Sequence, residues 1–157
     1  MKKLFELNPA IDRSTLAARF AATTRVQIRD VLTAETAREV LTMLTKGTPW
    51  GMATGAGDEN RQSFRAEEMR TPEGQQKVNA AAIGAEKNSA RGEYGFRFAH
   101  YPILTAVQEE WEEDSPHEIL LEHLNAPEFL NLAREVTGID ALLKADGQAS
   151  LFAPNHY

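Results

Sequence analysis

Asp146-Gly147-Gln148-Ala149-Ser150-Leu151-Phe152-Ala153-Pro154-Asn155-His156-Tyr157 is the stretch on which the fold reading turns. Asp-Gly is a strong signal for a two-residue hairpin, because the favoured turn needs a positive φ at both central positions. Residues 139–144 before it and 148–152 after it therefore predict the two arms of a hairpin. Pro154-Asn155 is turn chemistry, and no polar tail follows the closing aromatic. The expectation is a sheet only begun by Tyr157, in a folding unit that continues past it.

Upstream, the pattern alternates helices with scattered strands. Gly138 closes a helix; Asn125-Ala126-Pro127-Glu128 and Ser115-Pro116-His117-Glu118 each set a capping residue three positions before a glutamate, the capping-box spacing. Pro102 opens a short helix with Leu104, Val107 and Trp111 on one side. Residues 93–100 place Tyr94, Phe96 and Phe98 at alternate positions, which predicts a strand burying that aromatic face. Thr71-Pro72-Glu73 starts a helix that runs to about Arg91-Gly92. It carries Val78, Ala81, Ala82 and Ala85 but few large apolar groups, so a surface position is expected.

Nearer the start, 50–53 predicts a short strand, 55–60 a turn and 62–66 a return strand. Thr33 caps a helix whose apolar face is Ala37, Val40, Leu41 and Leu44, stopped by Gly47. Val26 and Ile28 alternate with polar residues, predicting a half-buried strand over 25–31, and Ser14 caps the first helix, which ends near Thr23. Without an internal repeat or a low-complexity linker, residues 1–157 read as one α+β domain.

Composition bounds the function. The chain is 42% hydrophobic and 25% charged, enough apolar material for a core. No run approaches the roughly 18 apolar residues of a membrane span, and Glu6 interrupts the only candidate for a signal sequence. The absence of cysteine excludes disulfides and thiolate chemistry and fits a cytoplasmic protein. A net charge of −6 without a basic cluster argues against nucleic acid as a partner.

The residues do not assemble a recognisable catalytic set. Of the histidines at 100, 117, 123 and 156, His117 and His123 are the tempting pair. They stand six apart, however, and a helix turns them to different faces, whereas a zinc helix needs them four apart. Ile119, Leu120 and Leu124 supply the apolar side there, leaving the polar residues to water. The acidic run 109–114 lacks the alternating oxygen ligands and glycine of a calcium loop and reads as a solvated face. Gly51, Gly55 and Gly57 lack the Lys-Ser/Thr of a phosphate loop and read as an ordinary turn. No serine sits in a nucleophile elbow.

Three segments together resemble the N-terminal half of iron(II)- and 2-oxoglutarate-dependent oxygenases of the prolyl 4-hydroxylase type. They are 26–37, which resembles that superfamily's strand-to-helix opening; 124–138, similar to the helix before its barrel; and 146–157, similar to the strand and turn that precede the H-x-D iron ligands. The resemblance implies a double-stranded β-helix (a jelly-roll) supported by N-terminal helices. It also implies a hydroxylase using Fe(II) and 2-oxoglutarate, on a peptide, prolyl included, or a small molecule. The H-x-D pair, the distal histidine and the basic residue that grips the co-substrate would all follow Tyr157. No catalytic, cofactor or metal residue is therefore assigned within 1–157, and these residues alone are expected to be inactive. Phe152 lies on the strand where relatives often carry a tyrosine toward the co-substrate, and Tyr157 falls near the pocket mouth, where simple packing is the alternative. The competing reading is a non-catalytic α+β interaction module whose terminal strand is completed by a partner. Either way, the unfinished sheet edge invites self-association.

Overall fold

A computed structural model describes residues 5–57 and 60–154. The architecture is α+β, with six α-helices and four antiparallel strands among the described residues. The chain forms two compact units: Met1–Gly47 with Ile103–Gly147, and Thr48–Pro102 with Gln148–Tyr157.

The first unit is helical. Helix α1, Arg13–Thr23, is capped by Asp12 rather than by Ser14, because the Asp12 carboxylate accepts from the Thr15 N–H and from both neighbouring hydroxyls. It packs against α6, Pro127–Thr137, and the Arg13 guanidinium meets Glu135 at 2.9 Å. Phe5 sets its ring edge-on to Phe129 of α6, with centroids 5.3 Å apart. The strand expected over 25–31 does not form. Residues 6–8 pair instead with its end and the residues after it, through Asn8 N–H to Val31 O, Thr33 N–H to Glu6 O and a bridge between Leu7 and Leu32. Residues 26–28 have no backbone hydrogen-bond partner among the described residues and belong to no helix or strand.

Thr33 caps α2, Ala34–Thr42, as its sequence predicts, and a π-helical turn, Met43–Gly47, ends at the expected glycine. Helix α4, Ile103–Gln108, buries Ile103 and Ala106, with Leu104 and Val107 half-buried beside them. Helix α5, Pro116–Leu124, starts at Ser115, whose hydroxyl accepts from Glu118 N–H. The second capping box fails. Ala126 is the cap of α6, while Asn125 is engaged elsewhere: its Nδ2 donates to Leu121 O and Ala145 O, and its Oδ1 accepts from Ala145 N–H. Leu132 and Val136 on α6 and Leu120 and Leu121 on α5 are buried, each leucine contributing about 1.5–3 kcal/mol.

The hairpin expected around Asp146-Gly147 is also absent. Segment 139–144 is held by helices, since the Arg134 guanidinium donates twice to Leu142 O, and Asn125 grips Ala145. Gly147 lacks the positive φ the turn requires, and its carbonyl accepts from Leu104 N–H.

The second unit is a sheet covered by one helix. Strands β1 (Gly51–Ala56), β2 (Arg61–Phe64), β3 (Gly95–Tyr101) and β4 (Ala149–Leu151) lie in the order β2-β1-β3-β4. Gly51 and Gly55 are thus strand residues, and only Gly57, at φ 79°, serves a turn. Helix α3, Pro72–Ala90, begins at the predicted Thr71 cap and packs on β1 and β3. Its buried residues are Gly74, Val78, Ala82 and Ala85. The small side chains read as a sign of a surface helix are its packing face: they let helix and sheet approach so closely that a Cβ on Gly95 would stand 2.6 Å from Ala85 O. Among the described residues no helix is long and apolar enough to cross a membrane.

Candidate functional site

The register of the sheet sorts its side chains into two faces. Paired residues share a face, so Met52, Thr54 and Ala56 stand with Ala99, Arg97 and Gly95, while Gly51, Ala53 and Gly55 stand with His100, Phe98 and Phe96. Ala99 and Tyr101 are buried, on the face that α3 covers. The aromatic set is on the other face. Phe96 and Phe98 are half-buried and Tyr94 is 55% exposed, so the face expected to be buried is the open one. The helix side of the sheet is shaped for close approach and has no room for three aromatic rings, which explains the reversal.

The rings form a continuous platform. Centroids are 5.9 Å apart from Tyr94 to Phe96, 5.7 Å from Phe96 to Phe98 and 6.0 Å from Phe98 to His100. Phe152, just beyond β4, stacks on Phe98 at 4.9 Å with planes 27° apart, and remains 60% exposed. The first of the two residues marked from sequence as pocket lining therefore lies on this platform. Tyr157 and His156 lie outside the described residues.

His100 closes one end. Ser150 is its cross-strand partner, the Ser63 hydroxyl lies 3.4 Å from its Nδ1, and Gln148 donates to Ser150 Oγ at 3.2 Å. Burial pushes the His100 pKa down, opposed by a hydrogen bond with Gln148, so the imidazole is neutral at pH 7. Ser63 and His100 do not make a hydrolytic pair, since their contact is at the long limit for a hydrogen bond and no carboxylate among the described residues orients the ring. The surface can stack on or exclude water from an apolar or π-faced group, with one neutral hydrogen-bonding edge.

The other histidines are not brought to this face. His117, expected to meet water, is 2% exposed in the helical unit, where burial lowers its pKa against the pull of Glu112. His123 lines a groove of about 500 Å³ with Phe5, Glu6, Arg13, Glu128 and Phe129. The acidic run is exposed, as expected; Trp111 Nε1 donates to Glu109. Among the described residues no three His, Cys, Asp or Glu side chains are grouped to hold a metal ion. The sequence signal that could have exposed the platform was the pair Gly51 and Gly55, which leaves β1 without side chains beside Phe96 and His100.

Compared with protein-family models, curated proteins and solved structures, the chain has no significant match to any of them.

Proposed function

We propose that this chain is the N-terminal part of an iron(II)- and 2-oxoglutarate-dependent oxygenase, a hydroxylase for which a peptidyl-prolyl residue is the first substrate to try. One observation carries the reading: an antiparallel sheet packed by a helix on one face and presenting an open row of aromatic rings on the other. A jelly-roll packs two such sheets face to face about 10 Å apart, and the platform fits one wall of that arrangement. In this reading Phe152 belongs to the inner wall, beside the co-substrate. The absence of cysteine supports a cytoplasmic setting as part of the same proposal.

The described residues do not fit an iron site, since they group no three ligands. The metal and 2-oxoglutarate would be held by residues that follow, and no step of the reaction is assigned to side chains here. The coding sequence after Tyr157 supplies the test. An H-x-D pair in frame, and succinate release from 2-oxoglutarate by the protein extended through it, is the expected result. A stop codon directly after Tyr157, or an extended protein that leaves 2-oxoglutarate intact, would sink the proposal. Residues 1–157 alone should bind iron only weakly, because metal affinity needs an assembled ligand set.

The place of β4 at the end of the sheet order among the described residues favours a second reading, a non-catalytic module to which a partner adds a strand. Among the described residues β4 pairs with β3 through Ala149, Ser150 and Leu151. Concentration-dependent association, read by sedimentation, supports that reading; a strictly monomeric species at high concentration counts against it.

A further inference from the structure

We infer that the groove between α1 and segment 25–29 binds an acidic peptide in extended conformation. This goes beyond the hydroxylase reading and does not rest on it.

The groove has a volume of about 640 Å³ and lies within the helical unit. Arg19 from α1 and Arg25 and Arg29 from segment 25–29 line it, all three exposed. None of their guanidinium groups forms a hydrogen bond or ion pair among the described residues. Unpaired guanidinium forks recognise carboxylates or phosphates. Between them Leu16, Val26 and Ile28 are half-buried and form an apolar floor.

A second observation selects peptide over other anions. The backbone N–H and C=O groups of Val26, Gln27 and Ile28 have no hydrogen-bond partner among the described residues, and the segment belongs to no helix or strand while alternating apolar with polar. Such unpaired main-chain donors and acceptors can be satisfied together by the backbone of a peptide laid beside them, which a nucleic acid does not offer. Charge complementarity gives the sign. Residues 1–47 contain eight lysines and arginines against five acids, while the chain as a whole is at −6. The one acid on the lining, Asp12, is already held by Ser14 and Thr15 and stays ionised, so it repels a carboxylate at that end and directs it toward the arginines.

The test is fluorescence anisotropy of the full chain with a short labelled peptide alternating glutamate and valine, at low salt. Binding should be saturable and weaken about tenfold or more in the Arg19→Glu, Arg25→Glu, Arg29→Glu triple variant, roughly three lost ion pairs. The corresponding triple lysine variant should retain most of it. Circular dichroism confirms that both variants fold, as expected for exposed positions. Methylating alternate amide nitrogens of the peptide should weaken binding as well. Equal binding by wild type and the glutamate variant, or by the parent and methylated peptides, overturns the proposal. So does equally tight binding of single-stranded oligothymidylate, which would make the groove a general anion site.

Discussion

The ring of Phe96 lies over Gly55 of the neighbouring strand, in the volume that a side chain at position 55 would need. The pair shows how this sheet tolerates a glycine in a central strand: the aromatic ring covers the exposed backbone from across the ladder.

Two glycines facing opposite ways should therefore respond differently to alanine. At Gly55 the obstacle is the Phe96 ring, which can swing toward solvent, whereas at Gly95 it is the Ala85 carbonyl, fixed in α3. Gly95→Ala should cost about 1–3 kcal/mol, the range for forced overpacking, and Gly55→Ala clearly less. Urea unfolding of both variants decides it; equal losses would contradict the packing described.

Phe152 fastens a very short strand. Only three residue pairs join β4 to β3, and the stack on Phe98 adds about 0.5–1.5 kcal/mol to them. Phe152→Ala should accelerate amide hydrogen exchange at residues 149–151 while leaving β1 and α3 protected. Unchanged exchange at β4 would mean that the stack contributes nothing to holding it.

Asn125 is the tie between α5 and the segment that precedes β4 in sequence, with three hydrogen bonds to backbone groups, two of them to Ala145. Its replacement by alanine should cost about 1–3 kcal/mol, because half-buried backbone groups lose their partners. Aspartate keeps the bond from Ala145 N–H but loses both donors, so it should fall between the two. A thermal-unfolding series over wild type, Asp and Ala tests that order.

Asp12 makes helix α1 acid-sensitive. Hydrogen bonds from Ser14 and Thr15 pull its pKa down to about 2 from 3.8, so the cap's contribution is complete above 3.8 and disappears as pH falls through about 2. The stability difference between wild type and Asp12→Ala, measured by urea unfolding across pH, should shrink over that interval. A difference that is as large at pH 2 as at neutrality would show that the charge is irrelevant.

His117 acts at higher pH. Burial lowers its pKa from 6.5, so the neutral folded form is favoured above that value and its contribution is lost as pH falls below it. His117→Leu, of comparable bulk, should flatten the decline in stability between neutrality and mild acid. An identical pH slope in the variant would assign the decline to other groups, His100 first among them.

What the sequence disclosed was mostly local. Thr33, Thr71 and Ser115 cap the helices their spacing predicts, because a cap is decided within one turn of chain. Asp146-Gly147 misled because a turn preference of this kind is outweighed once Asn125 and Arg134 claim the arm before it, a contact twenty residues long in the case of Ala145. Segment 25–31 alternates correctly for a strand, but a strand requires a neighbour, and residues 6–8 take only its end. The aromatic face failed for a third reason. Alternation reveals that Tyr94, Phe96 and Phe98 share a side, and bulk suggests which side is buried, but α3 chose the side with the least bulk.

The close seat of α3 on small residues has a consequence for how this unit tolerates change. Enlarging Ala82 or Ala85 would lift the helix from the sheet and be felt throughout the unit, whereas trimming the exposed Tyr94 removes atoms that the unit barely uses for its own cohesion. A saturation scan scored for folding alone should thus be strict along the alanines and most lenient at Tyr94. Scored for whatever the rings contact, it should invert, so that the two scans separate residues kept for assembly of the sheet from residues kept for its use.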